Sequence, residues 1–423
     1  MRLVVVVALC CLAGCQRAAA PAFAEGEARA LALFPLPARG PGSLDAALSR
    51  AQAVARDKPG KVSSWVDVGE LWILLARDRA DPGFYLHAGG AADLALALSP
   101  DNAAARRLRA STLLNAHAFR EARAVCEALL ARNPDDDGAL GLLADALYEL
   151  GDVDGALQAT EQMLVLKDGL PARSRRAWLR FILGDLAGAR TDHEAALTDS
   201  TSTGEARAFV AVDAGNLSFL QGDLASAERA FAFASEQMPD FGPALVGGAR
   251  TAFARGDLAT AKSRARTAWE KRRSIEAAAL LVALLGPGDD AVALEREVLA
   301  HARRADPRSA ALWLATRSTT AADLDEARRL VDVELTVHDD PYTHDVASVV
   351  ALARGDLSDA RRHSDAALAH GTPDPRLLAR AGIVRLAQGE GSGRVLIERA
   401  LALNPAFDPL WAARARAALG SPP

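Results

Sequence analysis

The sequence predicts an all-helical chain built from one repeated helix–turn–helix unit, and three markers sharing a single period predict it. The pair Gly-Asp stands at Gly151-Asp152, Gly184-Asp185, Gly222-Asp223, Gly256-Asp257 and Gly355-Asp356, at intervals of 33, 38, 34 and 99 residues. The last interval is three times 33, and Asp290 and Asp323 fall on the grid between its ends. Proline recurs in steps of 34, at Pro100 and Pro134 and again at Pro307, Pro341 and Pro375, with Pro239 two steps before Pro307. Alanine stands four residues after the acidic position at Ala156, Ala189, Ala227, Ala261, Ala327 and Ala360, and Ala88 and Ala122 keep the same phase upstream. Self-similarity at a fixed period of this length is the signature of a stacked array.

Bulk properties agree. Half of the 423 residues are hydrophobic and only 5% are aromatic, with alanine, the best helix former, supplying much of the apolar content. A net charge of −5 argues against nucleic acid as a partner, which needs clustered Lys and Arg to displace counterions.

Taken in order, the chain opens with "MRLVVVVALCCLAGCQ". Arg2 and the α-amine form a charged start, and Leu3 to Leu12 form an apolar run too short for the roughly 20 residues a spanning helix needs. Residues 1–14 therefore read as an export signal. The sequence Leu12-Ala13-Gly14-Cys15 resembles the lipobox of bacterial lipoproteins. The resemblance implies cleavage before Cys15 and lipidation of that residue. Position 16 is Gln, not the Asp that favours inner-membrane retention in enterobacterial relatives, so the resemblance implies an outer-membrane anchor facing the periplasm. Each buried methylene of an acyl chain adds about 0.8 kcal/mol to such anchoring. Once Cys10 and Cys11 leave with the signal and Cys15 is lipidated, only Cys126 remains, so no intramolecular disulfide is possible. With Val125 and Leu129 beside it, Cys126 is expected as a small core residue. Residues 15–61 begin with an Ala- and Pro-rich stretch and are expected as a tether; the alternative is that Leu31, Leu33, Phe34 and Leu36 dock on the first repeat.

The repeats are expected over 62–419. In 137–168, Leu140, Leu143, Leu147 and Leu150 make one helical stripe, and Val153, Leu157, Thr160 and Leu164 make another. Glycine ends the first helix by adopting the left-handed conformation. Aspartate then accepts from the free N–H groups of the second helix, worth about 1 kcal/mol. Alanine lets the two helices cross closely, and proline, which cannot continue a helix but can open one, closes the unit. On this pattern the two Ala-Arg-Gly-Asp-Leu stretches, 254–258 and 353–357, are helix ends and caps, not displayed adhesion ligands. A unit of this length and pattern resembles the tetratricopeptide repeat (TPR), most clearly at 137–168, 208–239 and 242–273. The resemblance implies an α-solenoid, a right-handed superhelix of about ten repeats, with "PLWAARARAALG" as its capping helix. The copy at 275–307 departs most: "GPGDD" replaces its turn and Leu294 its alanine, so a hinge is expected near 286–290.

Chemistry is sparse. "HDDPYTHD", His338 to Asp345, is the one grouping dense enough for a metal, but Pro341 closes a repeat there and Asp339 or Asp340 can cap the next helix. No metal, cofactor or catalytic residue is assigned. The basic tracts 106–109, 173–176 and 271–273 are expected as solvated faces. In TPR superhelices the first helices line a concave groove. Carried over position by position, that resemblance selects Arg107, Ser111, Ser174, Trp178, Phe181, Asn216, Phe219, Arg250 and Phe253 as candidates for binding a protein or peptide. Phe219 and Phe253 read equally well as packing between repeats. The Lys–x₃–Asn pair of chaperone-binding TPRs is missing, since Asn216 follows Val212 and Ser111 follows Arg107.

The expected function is that of a non-catalytic, lipid-anchored interaction scaffold or assembly factor in the bacterial cell envelope. TPR lipoproteins of this kind include secretin-assembly factors of pili. The alternatives are a peptidoglycan- or polysaccharide-binding envelope protein and a metal-dependent hydrolase using residues 338–345.

Overall fold

The computed structural model describes residues 23–420 apart from 38–39, 41–42, 80, 200–201, 203, 287 and 319. The export signal, Cys15 and the start of the expected tether lie outside the described residues. Everything regular among the described residues is helix: α1 (Glu25–Ala32), α2 (Leu44–Asp57), α3 (Val62–Arg79), α4 (Phe84–Leu98), α5 (Ala103–Asn115), α6 (Phe119–Leu130), α7 (Asp137–Glu149) and α8 (Val153–Leu166). A second series follows: α9 (Leu170–Ile182), α10 (Leu186–Leu197), α11 (Gly204–Leu220), α12 (Leu224–Gln237), α13 (Gly242–Ala254), α14 (Leu258–Arg272), α15 (Ile275–Leu285) and α16 (Asp289–Ala305). It continues with α17 (Pro307–Arg317), α18 (Ala321–Glu334), α19 (Pro341–Ala353), α20 (Leu357–Ala367), α21 (Pro375–Ala387), α22 (Ser392–Leu403) and α23 (Pro409–Ala418). The fold is all-α, a TPR-like α-solenoid in which α3 to α22 pair consecutively as helix hairpins. Two compact units divide it, one running to Asp168 and the other from Gly169.

The turn chemistry is uniform. Gly151, Gly184, Gly222, Gly256 and Gly355 all have φ between +74° and +84°, a region closed to most side chains. At the first of these, the Asp152 N–H reaches back to the Leu147 carbonyl at 2.9 Å, and the Asp152 carboxylate accepts from the Gly155 N–H at 2.9 Å. Asp257 and Asp356 do the same for Thr260 and Asp359. Both Arg-Gly-Asp tripeptides are thus a helix C-cap, a left-handed glycine and an N-cap. The eight phase-keeping alanines, from Ala88 to Ala360, are all 0% exposed.

Where the markers thin out, the caps change. Asp290 lies inside α16, whose N-cap is Gly288 with no side-chain cap bond, and Leu294 is only half-buried. Asp323 is likewise inside its helix: Thr320 caps α18, and the Asp323 carboxylate accepts from the Ser318 and Thr320 hydroxyls. A position on the period therefore does not guarantee a cap, because the loop before it also has to have the right length.

In the first unit, residues 25–57 depart from an extended tether. They form α1, which packs on α4, and α2, which packs on α3. The carbonyls at the end of α1 are taken up from outside the helix: Ala32 accepts from Gln52 Nε2 at 3.0 Å and from Trp72 Nε1 at 2.9 Å. Gly90 lets α1 sit down, since a Cβ there would lie 2.7 Å from the Ala28 carbonyl oxygen. Leu31, Leu33 and Leu36 thus belong to a docked segment, while Phe34 stays exposed beside His87. Cys126 is fully buried, and burial, assisted by Asp145, pushes its thiol up to about 12. The thiol stays protonated and inert.

In the second unit, the Phe231 ring on α12 is wedged between α11 and α13. A Cβ on Gly215 would lie 2.7 Å from it, and one on Gly247 2.1 Å. Gly247→Ala is therefore expected to lose about 1–3 kcal/mol of stability through overpacking. Gly26→Ala on α1, where nothing lies within 4 Å, should gain up to about 1 kcal/mol from helix propensity. Chemical denaturation of the two variants reads the opposite signs.

Candidate functional site

The nine groove candidates divide between the units. In the first, Arg107 reaches from α5 to Asp136, the cap of α7, at 2.5 Å, and Ser111 donates to the Arg107 carbonyl of its own helix at 3.1 Å. In the second unit, Ser174 is buried and donates to the Pro171 carbonyl, so its side chain is spent within α9. Phe181 and Phe219 are buried as well. Phe253 packs with Ala249, Ala265, Leu280 and Leu281 between repeats.

Trp178, Asn216 and Arg250 remain partly open. Trp178 lies 5.6 Å from Phe181 and stacks on Tyr342 at 6.0 Å, although 164 residues separate Trp178 from Tyr342 in sequence. The Arg250 guanidinium sits 4.4 Å from the centre of the Phe219 ring. Burial lowers the Arg250 pKa; Glu276 and, more weakly, Asp374 and Asp408 oppose that shift, while Arg376 adds to it. Among the described residues neither Arg250 nor Asn216 has a hydrogen-bond partner. Asp213, one turn before Asn216 on α11, has none either, and loss of water raises its carboxyl to about 8, so it is protonated at neutral pH. Three polar side chains on adjacent helices thus keep their hydrogen-bonding capacity inside the unit, beside aromatic rings. This is the composition of a recognition surface.

Opposite them stands a saturated set that sequence reasoning missed. Asp374 accepts from Arg376 Nη2 at 2.7 Å and from the Tyr342 hydroxyl at 3.3 Å. Thr372 donates to the Ile182 carbonyl at 2.7 Å, and Asn404 Nδ2 to the Phe219 carbonyl at 2.6 Å. These bonds span 190 and 185 residues, and no local pattern marks their donors.

The 338–345 grouping disperses into structural roles. Asp340 caps α19, accepting from the Tyr342 and Thr343 N–H groups at 2.9 and 3.2 Å. Arg308 on α17 lies 3.5 Å from the same carboxylate. Buried His338 lies 3.5 Å from Glu334, while His344 turns the other way, to Asp339 at 2.6 Å and His363 at 2.9 Å. The end groups set the tautomers. Arg362 donates to His363 Nε2, His363 Nδ1–H to His344 Nδ1, and His344 Nε2–H to the Asp339 carboxylate. Asp345 forms a buried ion pair with Arg380, yet burial still holds its carboxyl above the ordinary range.

The basic tracts 106–109 and 173–176 are drawn into partly buried ion pairs, whereas Lys271 and Arg273 lie on an exposed face as expected, each with a surface partner. Arg106 meets Asp101 at 2.5 Å and Arg109 meets Asp93 at 3.4 Å. Arg173, Arg176 and Arg180 converge on the fully buried Asp192 at 3.6, 2.5 and 2.8 Å. Lys271 pairs with Asp240 at 2.6 Å and Arg273 with Glu297 at 2.5 Å. Period-based reasoning placed Arg109, Arg173 and Arg176 on surfaces because their partners lie on neighbouring helices.

Residues 113–166 match the tetratricopeptide repeat family. No curated protein matches the chain. Among solved structures, PilW, described as a widely conserved type IV pilus biogenesis factor, is 22% identical, with 48% of this chain and 94% of that one covered at a TM-score of 0.42. A thermophilic TPR protein of Thermus thermophilus is 22% identical, with 46% and 100% covered at 0.40. Human IFIT1, solved as a dimer with a capped oligonucleotide, is 15% identical, with 90% and 95% covered at 0.47. Likeness at this level carries no function across.

One buried group sets a pH response. His193 on α10 is buried with neither ring nitrogen bonded, and burial, only partly opposed by Asp192, lowers it to about 4. The unfolded chain, with an ordinary value of about 6.5, binds the extra proton first. This group is therefore expected to lower stability as pH drops from about 6.5 towards 4, by about 3 kcal/mol. It acts alongside His363, also lowered to about 4, and against the opposite slope of the raised Asp213 carboxyl. His193→Leu should flatten that part of the profile, read by denaturant midpoints between pH 7 and 4.

Proposed function

We propose that this protein is a non-catalytic interaction scaffold or assembly factor, anchored by lipid at Cys15 in the bacterial cell envelope, on the periplasmic side of the outer membrane. TPR folds bind protein partners, and the observation carrying the reading is the stacked array itself. Its inner side chains include Trp178, Asn216 and Arg250, an aromatic, an amide and a guanidinium that stay partly open. Aromatic and arginine side chains are the types that dominate interface energetics. For the hydrolase alternative at 338–345, His338 and His344 serve different partners, so the two histidines do not share one ligand set, while His338 stays 3.9 Å from the helix-capping Asp340. The "LAGC" sequence supports the anchor, and no described helix is long and apolar enough to cross a membrane.

Two measurements test this. Cys15→Ser is expected to move the protein out of the membrane fraction and abolish labelling by an acyl-chain probe; unchanged fractionation and no labelling of the wild type would exclude the anchor. Crosslinking in intact cells, read by mass spectrometry, is expected to capture one stoichiometric envelope protein. Trp178→Ala with Arg250→Ala should cut that yield at least tenfold, as for two interface anchors worth about 1–2 kcal/mol each. Pelleting with peptidoglycan and no protein crosslink would favour the polysaccharide reading instead.

A further inference from the structure

We infer that the second unit is held closed by a small polar latch, and that opening it exposes the candidate interaction face. The inference rests on the scaffold reading for its functional meaning, but its geometry stands apart from it.

Repeats far apart in sequence meet at two equivalent places. At the first, Thr372, in the turn between α20 and α21, donates to the Ile182 carbonyl at the end of α9. At the second, Asn404, in the turn between α22 and α23, donates to the Phe219 carbonyl at the end of α11. Thr372 and Asn404 are each 1% exposed. The two contacts correspond repeat by repeat, since α9 and α11 open successive repeats and the two donor turns close successive repeats, with the acceptor shifted by one residue relative to the turn glycine. Gln221 Nε2 adds a bond to the Pro373 carbonyl at 3.3 Å.

Backbone approach is close at the same points. A Cβ on Gly222 would lie 2.6 Å from the Leu403 carbonyl oxygen, and one on Gly184 3.4 Å from the Gly371 carbonyl oxygen. The turn glycines at Gly256 and Gly355, which do not sit at this seam, have nothing within 4 Å. The Trp178–Tyr342 stack spans the same seam.

The chemistry of the seam sets it apart from neighbour-to-neighbour packing. Adjacent repeats bury alanine, leucine and valine stripes, whereas here side-chain donors meet the last carbonyls of two helices. The Ile182 carbonyl is one a helix leaves without an intrahelical partner, the Phe219 carbonyl keeps the Gly222 N–H at 3.0 Å, and at both water can take the place of the side-chain donor. Opening the seam thus exchanges protein bonds for water bonds at low cost while leaving each repeat's own stripe covered. It also uncovers Trp178 and the Phe219–Arg250 stack, which the closed form sets against Tyr342 and Asn404. The closed state therefore leaves this face only partly open, and a partner engaging all of it competes with repeats of the same chain.

Hydrogen-exchange mass spectrometry on the full chain, with no partner added, tests the latch. Thr372→Val combined with Asn404→Ala is expected to speed exchange roughly tenfold or more in segments 178–186, 216–224, 370–376 and 402–408 together, as for two lost hydrogen bonds. Protection within the other helices should persist. Gly222→Ala should act in the same way, by wedging. Gly256→Ala carries the same left-handed strain (φ +80° against +74°) without the seam contact, so it controls for that strain and should leave the four segments unchanged. Unchanged exchange in the latch variants, equal effects of Gly222→Ala and Gly256→Ala, or loss of protection throughout the second unit would each overturn the latch. Crosslinking in cells separates the two readings. Higher partner yield from the Thr372→Val/Asn404→Ala variant supports the gate. Equal yield removes the gate and leaves the scaffold, and no partner from either form removes the scaffold while the exchange result stands.

Discussion

Close helix approach at a fully buried alanine is the constraint on which the rest of this structure depends. One helix pair is too small to hide its own apolar stripe, so each must press against the next, and the pairs meet only where one side chain is no larger than a methyl group. From Ala88 to Ala360 the eight alanines at that position are sealed, and only the divergent copy puts a half-buried Leu294 there. Glycines 215 and 247 extend the same logic by making room for a whole phenyl ring. The left-handed glycines and aspartate caps then set the turn angle that brings the small residues together.

Function depends on what this architecture leaves uncommitted. Many charged side chains are consumed in holding helices to one another, within a repeat as with the three arginines around Asp192, or between repeats as with the buried Asp345–Arg380 pair. Even the histidine-rich stretch before α19 is taken up in capping and in a directed chain of hydrogen bonds. Against that background, a guanidinium stacked on phenylalanine, an asparagine and a protonated aspartate, none with a hydrogen-bond partner among the described residues, stand out. They lie where the second unit folds back towards its own later repeats, so recognition and closure draw on the same surface.

The array also shows where periodic reasoning fails. Asp290 and Asp323 keep the period yet lie inside helices, because Gly288 and Thr320 occupy the caps. The segment 25–57 looked like a tether on composition, but Ser43 caps α2, and α1 docks because Gln52 on α2 and Trp72 on α3 supply donors for its free end. Composition reports which residues stiffen a chain; it does not report a donor arriving from 20 or 40 residues away.

By itself, the sequence determined the fold class, the repeat length, the glycine turns, the caps at Asp152, Asp185, Asp223, Asp257 and Asp356, and the alanine contacts. All of these are local. They follow from φ angles, capping donors and helical spacing within a few residues, and the repetition makes them legible many times over. The tertiary structure alone decided which candidate groove residues stay open, which arginines are neutralised, and that Thr372 and Asn404 close on helix ends 190 and 185 residues away. Those outcomes depend on small rotations accumulated from repeat to repeat, and no single repeat encodes that sum.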